Sequence, residues 1–560
     1  MQISNKESIR RFTIGEMPLI QSTIKRLGFD RILSQKLNTH GNQKVDTTSL
    51  ILILVHNIAC GRTPFYELKQ WIEKIDNRIF GLEKPYEISL LNDDIFGRAL
   101  DKLFKIDRAS LMTEIALSTV RTVNLDLSRI HNDSTTVKAF GKYPGKTSSG
   151  LQLAQGVSKD HRPDLKQLLF TLTVSSDGAV PVHYKTYPGN RTDDTTHIDT
   201  WNSLCTIAGK TNFLYVADSK VCTDKQLSYI VKRGGRVVTI MPETWKECNH
   251  FKSELKEHVK HKKRIWRREI PGRDDEYETF STFAGETYTE KRGYRIHWIY
   301  SSEKKKRDRR SREEKMKKVE NELGELSSKI NRRKLKTFDA IQDAVNTILE
   351  KYNMQSFYHT KLIQRKEFSR KQDNRGRPGV STKYITIEKT VYAIGWARNE
   401  TSLKQEKRVD GIFPILSTDN QLSSLEALKA YKYQPRLEKR FTQFKDIHNA
   451  APLLFKKLER IEAVMFVFFL ALIVQSVIER EIRKEMEKEN IDWLPIYPEG
   501  RISYHPTTAK IFDRFEGVSE YYRSEKGNIV AKYRDDLTEL QKLILKMLKI
   551  RECEYWPESD

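Results

Sequence analysis

The chain has 560 residues, of which 38% are hydrophobic and 31% are charged. This composition excludes wholesale disorder and a membrane-embedded protein, and the length suggests roughly two to four domains. With 99 Lys and Arg against 75 Asp and Glu, the formal net charge is +24. The surplus favours a polyanionic partner, because Lys and Arg neutralise phosphates with release of counterions. A solvated basic surface is the alternative interpretation.

The cysteines and the apolar segments indicate the compartment. The five cysteines are scattered and form no CxxC pair, so we expect a reducing compartment and no disulfide framework. The amino terminus, MQISNKESIRRFTIG, lacks the apolar core of a secretory signal. One apolar run, Ala463–Ile478, is flanked by charges and contains Gln475. Because it is short for a membrane span, we predict a buried core helix and no membrane association.

Two regions with different periodicities come first in the chain. Up to about residue 125, apolar residues recur at three- and four-residue spacing, which predicts helices. These helices are Ile14–Leu27, Thr48–Cys60, Thr63–Ile75 and Asp94–Val123. Strand patterns follow at Leu125–Asp133, Gln167–Ser175, Val180–Tyr187, Phe213–Asp218 and Arg236–Pro242. Helical patterns at Thr195–Ala208 and Thr223–Arg233 separate the later strands. The order predicts a mixed α/β sheet whose later strands are parallel.

Residues 243–410 interrupt this pattern. Lys304–Lys336 is heavily charged but carries an apolar seam, and Phe338–Ile348 continues the same spacing, which predicts a helical hairpin. Its outer face has three candidate roles: a solvated surface, a DNA contact or a dimer seam. A strand, Ile412–Leu416, and then helices are predicted up to residue 480. A Pro-punctuated stretch and a terminal helix, Leu537–Ile550, close the chain.

Three acidic residues are candidates for a common site. Asp133 and Asp218 each end a predicted strand, and sites in open α/β sheets form at the carboxyl ends of strands. Two such carboxylates on adjacent strands repel each other unless cations lie between them, which suits Mg²⁺. Because Pro435 suits the first turn of a helix, we expect a helix to start there with Glu438 on its opening turn. Lys445 lies two helical turns further on, so we expect it to share the face of Glu438. Taken singly, each Asp has a turn or capping role as its alternative.

Four short motifs surround these acids. They are Asp133-Ser134-Thr135, Gly189-Asn190-Arg191-Thr192-Asp193, Ala217-Asp218-Ser219, and the series Tyr431, Gln434, Glu438 and Lys445. In this order they resemble the DDE transposases of the IS4 superfamily, and the resemblance is closest to the IS1634-type branch. Gln434 stands where that family has Arg, and Arg436 or Lys432 is the candidate for the missing charge.

The resemblance implies the fold and its division into domains. It implies an RNase H-like (retroviral integrase-type) α/β catalytic core, with an inserted domain and an α-helical N-terminal domain. The 220-residue separation of Asp218 from Glu438 is too long for a loop and agrees with an insertion. The predicted parts are an accessory or DNA-binding domain (1–124), the first core part (125–242), the insertion (243–410), the core part with the Glu helix (411–480) and a C-terminal helical region (481–560).

The resemblance also implies an insertion-sequence transposase. Asp133, Asp218 and Glu438 would be the catalytic residues and hold two Mg²⁺ ions, for which Mn²⁺ would substitute, with Asp133 as the shared ligand. The expected DNA contacts are Tyr431, Gln434, Arg436 and Lys445. The expected partners are transposon terminal inverted repeats, target DNA and a second copy of the chain in the synaptic complex. The expected location is the prokaryotic cytoplasm, at the nucleoid.

Several alternatives stay open at this stage. A structure-specific nuclease without strand transfer would use the same carboxylates, and a catalytically idle DNA-binding relative is disfavoured by the presence of all three acids. Tyr431 has a packing role as its alternative, and Lys445 an ion pair. Four further residues are of the types that bind zinc, but their spacing matches no common zinc finger. Nearby lysines favour a basic, DNA-facing segment there instead. The four residues are Cys248, His250, His258 and His261.

Overall fold

The computed structural model describes residues 7–37, 44–82, 88–156, 164–270, 276–448, 455–525 and 528–557. It contains two compact units. The first unit comprises Met1–Thr239 together with Lys429–Asp560, and the second comprises Ile240–Leu428. Both contain helices and strands, so the predicted mixed α/β class is confirmed in this coarse form.

The amino-terminal part of the first unit is mainly helical. Its elements are β1 (Glu7–Thr13), α1 (Met17–Leu27), α2 (Phe29–Lys36), α3 (Thr47–Ala59), α4 (Leu68–Glu73), α5 (Asp93–Lys105) and α6 (Arg108–Thr122). The predicted single helix Asp94–Val123 is therefore two helices. The break has a local cause, because the Asp107 carboxylate accepts hydrogen bonds from the N–H groups of Ala109 and Ser110 and so caps α6.

A mixed sheet follows in the same unit. Its elements are β2 (Arg129–Ala139), β3 (Lys166–Ser175), β4 (Pro181–Pro188), α7 (His197–Ala208), β5 (Leu214–Val216), α8 (Asp224–Val231) and β6 (Arg236–Ile240). The strand order is β4-β3-β2-β5-β6. β2, β3 and β4 pair antiparallel, whereas β5 pairs parallel with both β2 and β6. The later strands are thus parallel, as the sequence predicts.

The second unit combines an antiparallel sheet with a helical hairpin. Its elements are α9 (Lys246–Glu257), β7 (Lys262–Glu269), β8 (Tyr277–Phe283), β9 (Thr287–Tyr288), β10 (Arg295–Ser301), α10 (Ser302–Lys329), α11 (Phe338–Lys351), β11 (Tyr358–Gln372), β12 (Tyr384–Arg398), α12 (Glu400–Val409) and β13 (Ile412–Ser417). β13 pairs with β10. The unit is therefore longer than the predicted insertion 243–410.

The remaining elements return to the first unit. They are α13 (Ser424–Tyr431, which begins in the second unit), α14 (Gln434–Thr442), α15 (Leu458–Lys488), α16 (Thr508–Asp513), β14 (Ser519–Glu525), β15 (Asn528–Arg534), α17 (Glu539–Met547) and α18 (Glu552–Tyr555). β1, β14 and β15 form an antiparallel sheet. The region 481–560, predicted as helical, thus also contains a β-hairpin.

Helix α15 contains the long apolar run. Its most apolar 18-residue window has a mean hydropathy of 2.4, enough by length and composition to cross a membrane, yet that window is fully buried inside the protein. The buried Gln475 in this run is satisfied. Its amide donates to the Ala59 carbonyl at 2.8 Å, and its oxygen lies 2.6 Å from both Gln443 Nε2 and His448 Nε2. The run is a core helix in this structure, as predicted.

Four buried histidines in the first unit make its stability depend on pH. Burial lowers the pKa of His56 and His448 to about 4, and it lowers the pKa of His131 and His183 to about 3. Since an unfolded His takes up a proton near pH 6.5, the unfolded state binds more protons than the folded state below that pH. Stability is therefore complete above pH 6.5 and is lost as the pH falls toward 4.

We expect each of these histidines to contribute a loss of about 1.4 kcal/mol of unfolding free energy per pH unit below 6.5. Urea unfolding of the full chain at pH 7.5 and 5.5 measures the effect. His183→Gln should reduce the difference between the two pH values, whereas His250→Gln should leave it unchanged, because the His250 side chain is exposed. Equal unfolding free energies at the two pH values would contradict the expectation.

Candidate active site

Two aspartates lie at the same level on neighbouring segments of the mixed sheet. In the parallel pair of β2 and β5, His131 is opposite Val216, and Asp133 and Asp218 each follow two residues later. Asp133 does not end its strand as predicted, because β2 continues to Ala139 through its antiparallel pairing with β3. The shorter β5 ends at Val216, so only the second aspartate follows a strand end.

Local hydrogen bonds orient both carboxylates. Asp133 is half-buried, and its Oδ1 accepts a hydrogen bond from the Ser134 N–H at 2.7 Å. Asp218 caps a short 3₁₀ turn by accepting the Lys220 N–H at 3.1 Å, and its carbonyl accepts the Thr239 hydroxyl at 2.6 Å. The Asp218 side chain is 39% exposed. Both groups can thus reach solvent and a ligand.

A buried histidine that the sequence analysis did not single out adjoins Asp218. His197 is 3% exposed, its Nδ1 lies 3.0 Å from the Tyr215 hydroxyl, and its Nε2 lies 3.9 Å from Asp218 Oδ1. It begins α7, shortly after the Gly189–Asp193 motif. A Cβ atom on Gly189 would lie 2.0 Å from the Gln167 carbonyl oxygen, so only glycine fits there. The position of a histidine shortly after this motif is the sequence feature that could have identified His197 as a candidate site residue.

Helix α14 carries the third acid and is held to the sheet by buried contacts. The Gln434 side chain is 7% exposed and donates to the Asn132 carbonyl at 3.3 Å, one residue before Asp133. Arg440 donates to the carbonyls of Ala179 and Gly178 at 3.0 Å. Glu438 is exposed and lies in the second turn of α14, not in the first turn as predicted. The helix position is thus fixed while the carboxylate stays accessible.

The segment after α14 changes the predicted direction of Lys445. Residues Gln443–Ile447 form a π-helical turn, closed by a hydrogen bond from the His448 N–H to the Gln443 carbonyl at 3.0 Å. Phe444 is fully buried in this turn and stacks on Phe170 at 4.7 Å. A π turn advances less per residue than an α-helix, so Lys445 is rotated away from the α-helical position that would align it with Glu438. The prediction of one shared α-helical face is corrected accordingly.

The negative charges of all three acids influence the phenol of Tyr431. Its pKa is raised to about 12, first by burial and then by the negative charges of Asp218, Glu438 and Asp133. The charges of three carboxylates that the sequence separates by 85 and 220 residues thus all influence one side chain.

The acids do not form a single tight ligand set. Within the described ranges, no group of three or more His, Cys, Asp or Glu side chains lies close enough together to hold one metal ion. Glu438 is exposed and Asp218 partly so. The arrangement presents carboxylate oxygens to a ligand from two strands and one helix.

Comparisons with known proteins find a family match and similar solved structures. Residues 9–117 match a family described as a domain of unknown function (DUF4277). No curated protein matches the chain. The chain is also similar to a solved structure, a piggyBac transposase synaptic complex with hairpin DNA, at 9% identity over 87% of each chain and a TM-score of 0.27. A TM-score this low supports no conclusion about fold or function.

The other predicted residues lie as follows. Arg436 is exposed, and its guanidinium carbon lies 5.2 Å from the centre of the Tyr433 ring. In the second unit, Cys248 is fully buried whereas the His250 side chain is 78% exposed. Among the described residues, these side chains form no cluster that could hold a zinc ion. The zinc alternative thus has no structural support.

Proposed function

We propose that the chain is a DDE-type insertion-sequence transposase, which cuts and joins transposon-end DNA at Asp133, Asp218 and Glu438. The observation that carries the proposal is geometric: Asp133 and Asp218 each lie two residues after the paired His131 and Val216, and Gln434 holds the helix that bears Glu438 to the residue before Asp133. The match of residues 9–117 to a domain that occurs in transposases supports it. The net charge of +24 supports a polyanionic substrate. An IS4-superfamily origin and a place in the IS1634-type branch are part of the proposal.

The proposal includes an RNase H-like core in the first unit. In its support, the strand order β4-β3-β2-β5-β6 combines three antiparallel strands with two parallel strands that follow through helices. The second unit would be the insertion, since it interrupts the first unit between β6 and α14. A homodimer in the synaptic complex and a location at the prokaryotic nucleoid complete the proposal.

The donor set suits the cofactor that we propose. Carboxylate oxygens are the ligands that Mg²⁺ and Mn²⁺ prefer, and all three acids are at least partly accessible. Asp133, Asp218 and Glu438 would hold two Mg²⁺ ions, and bound ions of this kind would supply Lewis-acid activation of a phosphodiester. His197 would be a positioning residue, because its Nε2 lies 3.9 Å from Asp218 Oδ1 while its Nδ1 lies 3.0 Å from the Tyr215 hydroxyl.

The DNA contacts that we propose differ from the sequence prediction in one residue. Tyr431, Arg436 and Lys445 stay in the set, since each is at least partly accessible. Gln434 is left out, because its side chain is buried and holds α14 to the strand that carries Asp133. The structure gives this residue an anchoring contact in place of the charge that the family's Arg would supply.

A cleavage assay tests the proposed function. The substrate is a plasmid that carries the DNA flanking the coding region of this chain, incubated with the purified full chain and either Mg²⁺ or EDTA. We expect cuts at the element ends and joined products with Mg²⁺, and intact DNA with EDTA. Cleavage without joined products would instead assign a structure-specific nuclease. Intact DNA under all conditions, with binding retained, would assign an idle DNA-binding relative.

Lys445 provides a more local prediction. If it contacts an end phosphate, Lys445→Ala should weaken binding to end DNA and make the slope of log affinity against log salt shallower by about one unit. Thermal stability should change little. Lys439→Ala is the matched control, because Lys439 is also basic and lies on the neighbouring α14. Equal salt slopes for wild type and Lys445→Ala would reject the phosphate contact and leave an ion pair.

A further inference from the structure

The second unit carries a long two-stranded β-ribbon. Strands β11 and β12 have 15 residues each and pair antiparallel along their whole length, from Tyr358 opposite Arg398 to Gln372 opposite Tyr384. At about 3.4 Å per residue, such a ribbon is roughly 50 Å long. Within the part of the chain that the structure describes, its two strands pair with each other only.

Only the base of the ribbon is packed. Tyr358 and Ile394 are buried in the core of the helical hairpin formed by α10 and α11. The side chain of Asn331, which follows α10, makes two hydrogen bonds with the backbone of Tyr392. Its Nδ2 donates to the Tyr392 carbonyl and its Oδ1 accepts from the Tyr392 N–H, each at 2.8 Å. Tyr392 pairs with Gln364. Residues 365–391, here called the distal ribbon, extend beyond this tether.

The distal ribbon exposes apolar side chains on both faces. Phe368 is 67% exposed and Tyr384 is 54% exposed on one face, and Ile385 is 47% exposed and Ile387 38% exposed on the other. A two-stranded hairpin without further packing is at best marginally stable in water. Exposed apolar groups on such an element indicate a surface that is covered in a complex. The distal ribbon thus has the features of a binding element.

Its charge identifies the class of partner. Residues 365–391 contain eight Lys or Arg and three Asp or Glu, a net charge of +5. One of the acids, Glu388, is paired across the strands with Lys366 at 2.5 Å. Arg365, Lys371 and Lys389 project from one face, and Arg370 shares the other face with Lys366. Basic groups on both sides of an extended ribbon are complementary to two rows of phosphates.

We propose that the distal ribbon binds double-stranded DNA by lying in a groove. A two-stranded β-ribbon fits the width of the major groove. One face, with its pair of exposed apolar side chains, would meet the base edges, and the long basic side chains would reach the flanking phosphates. Pairing of two ribbons in a dimer would instead bring two charges of +5 together. The inference takes DNA as ligand from the proposed function, but it needs neither the three acids nor a metal.

The test is a binding titration in EDTA with a 30-base-pair mixed-sequence duplex. The ribbon variant combines Arg370→Gln, Lys371→Gln, Arg375→Gln and Arg377→Gln. The matched control removes the same number of charges from exposed positions on the helical hairpin: Lys315→Gln, Lys317→Gln, Lys318→Gln and Lys334→Gln. We expect the salt slope of the ribbon variant to be shallower by about 3 to 4 units, and that of the control by less than about one.

Hydrogen exchange of the wild-type chain locates the contact. We expect the amides of residues 365–372 and 384–391 to exchange more slowly once the duplex is added. Equal salt slopes for the ribbon and control variants would overturn the inference, as would unchanged exchange in the ribbon. If exchange in the ribbon slows as the protein concentration rises without DNA, the ribbon contacts a second copy of the chain. That result would also overturn the inference.

The same titration separates the two proposals. Wild-type chain that binds no duplex would overturn the proposed function together with the ribbon inference. Wild-type binding that the ribbon variant matches overturns the ribbon inference alone. Ribbon-dependent binding by a chain that never cleaves DNA would sustain the inference and overturn the proposed catalysis.

Discussion

Replacing Asp133 by Asn, Asp218 by Asn or Glu438 by Gln is expected to lower DNA cleavage by at least about a hundredfold in each case. Each change keeps the size of the side chain but removes the negative charge that would hold a divalent cation. The folded state should persist, because Glu438 is exposed and the two aspartates are only partly buried. DNA binding should also persist, since carboxylates repel phosphates. Cleavage of end DNA and fluorescence anisotropy with the same DNA measure the two properties.

Asp446→Asn is the matched control for these three changes. Asp446 is an exposed acid in the π-helical turn that follows α14, and no role in the proposed chemistry is assigned to it. We expect this variant to cleave DNA at a rate close to that of the wild-type chain. A catalytic assignment is wrong for any of the three acids whose variant keeps more than about one hundredth of the wild-type rate.

The affinity for end DNA is expected to fall by about 10³ to 10⁵ between 50 and 200 mM salt. This range corresponds to 6–10 phosphate contacts, each of which releases counterions on binding. A surface with a net charge of +24 has enough Lys and Arg to make them. Anisotropy titrations at four or more salt concentrations give the slope directly.

A polyanion without base pairs provides the comparison for this second prediction. Heparin should compete with end DNA at low salt and lose most of that ability at high salt, because both ligands rely on the same counterion release. A flat dependence of DNA affinity on salt would contradict the proposal that the chain binds DNA through its basic surface.

The sequence predicts elements whose residues share one environment along their length. β3 is almost entirely buried and α15 is buried over its apolar run, and both are recognisable from apolar content and length. β14 and β15 are not, because their side chains are largely polar and their sheet depends on β1 at the other end of the chain. A pairing across that distance leaves no local pattern in the sequence.

Parts of the candidate site are predictable for the same reason. Asp133 and Asp218 follow short apolar strand patterns, so their proximity could be inferred from strand order before the register was known. The contact of His197 with Asp218 depends on how α7 packs, which no spacing rule gives. The π turn before His448 depends on the packing of Phe444 against Phe170, which is distant in the sequence. Such features arise from tertiary packing and not from local propensity.

Cleavage by the Asp133→Cys variant in Mg²⁺ and in Mn²⁺ tests most directly whether Asp133 is a metal ligand at a DNA-cleaving site. A thiolate is a poor ligand for Mg²⁺ and a better one for Mn²⁺. We predict that replacing Mg²⁺ by Mn²⁺ raises cleavage by the variant about tenfold more than it raises cleavage by the wild-type chain. The same Mn²⁺-to-Mg²⁺ ratio in both proteins, or full activity of the variant in Mg²⁺, would contradict direct ligation by Asp133.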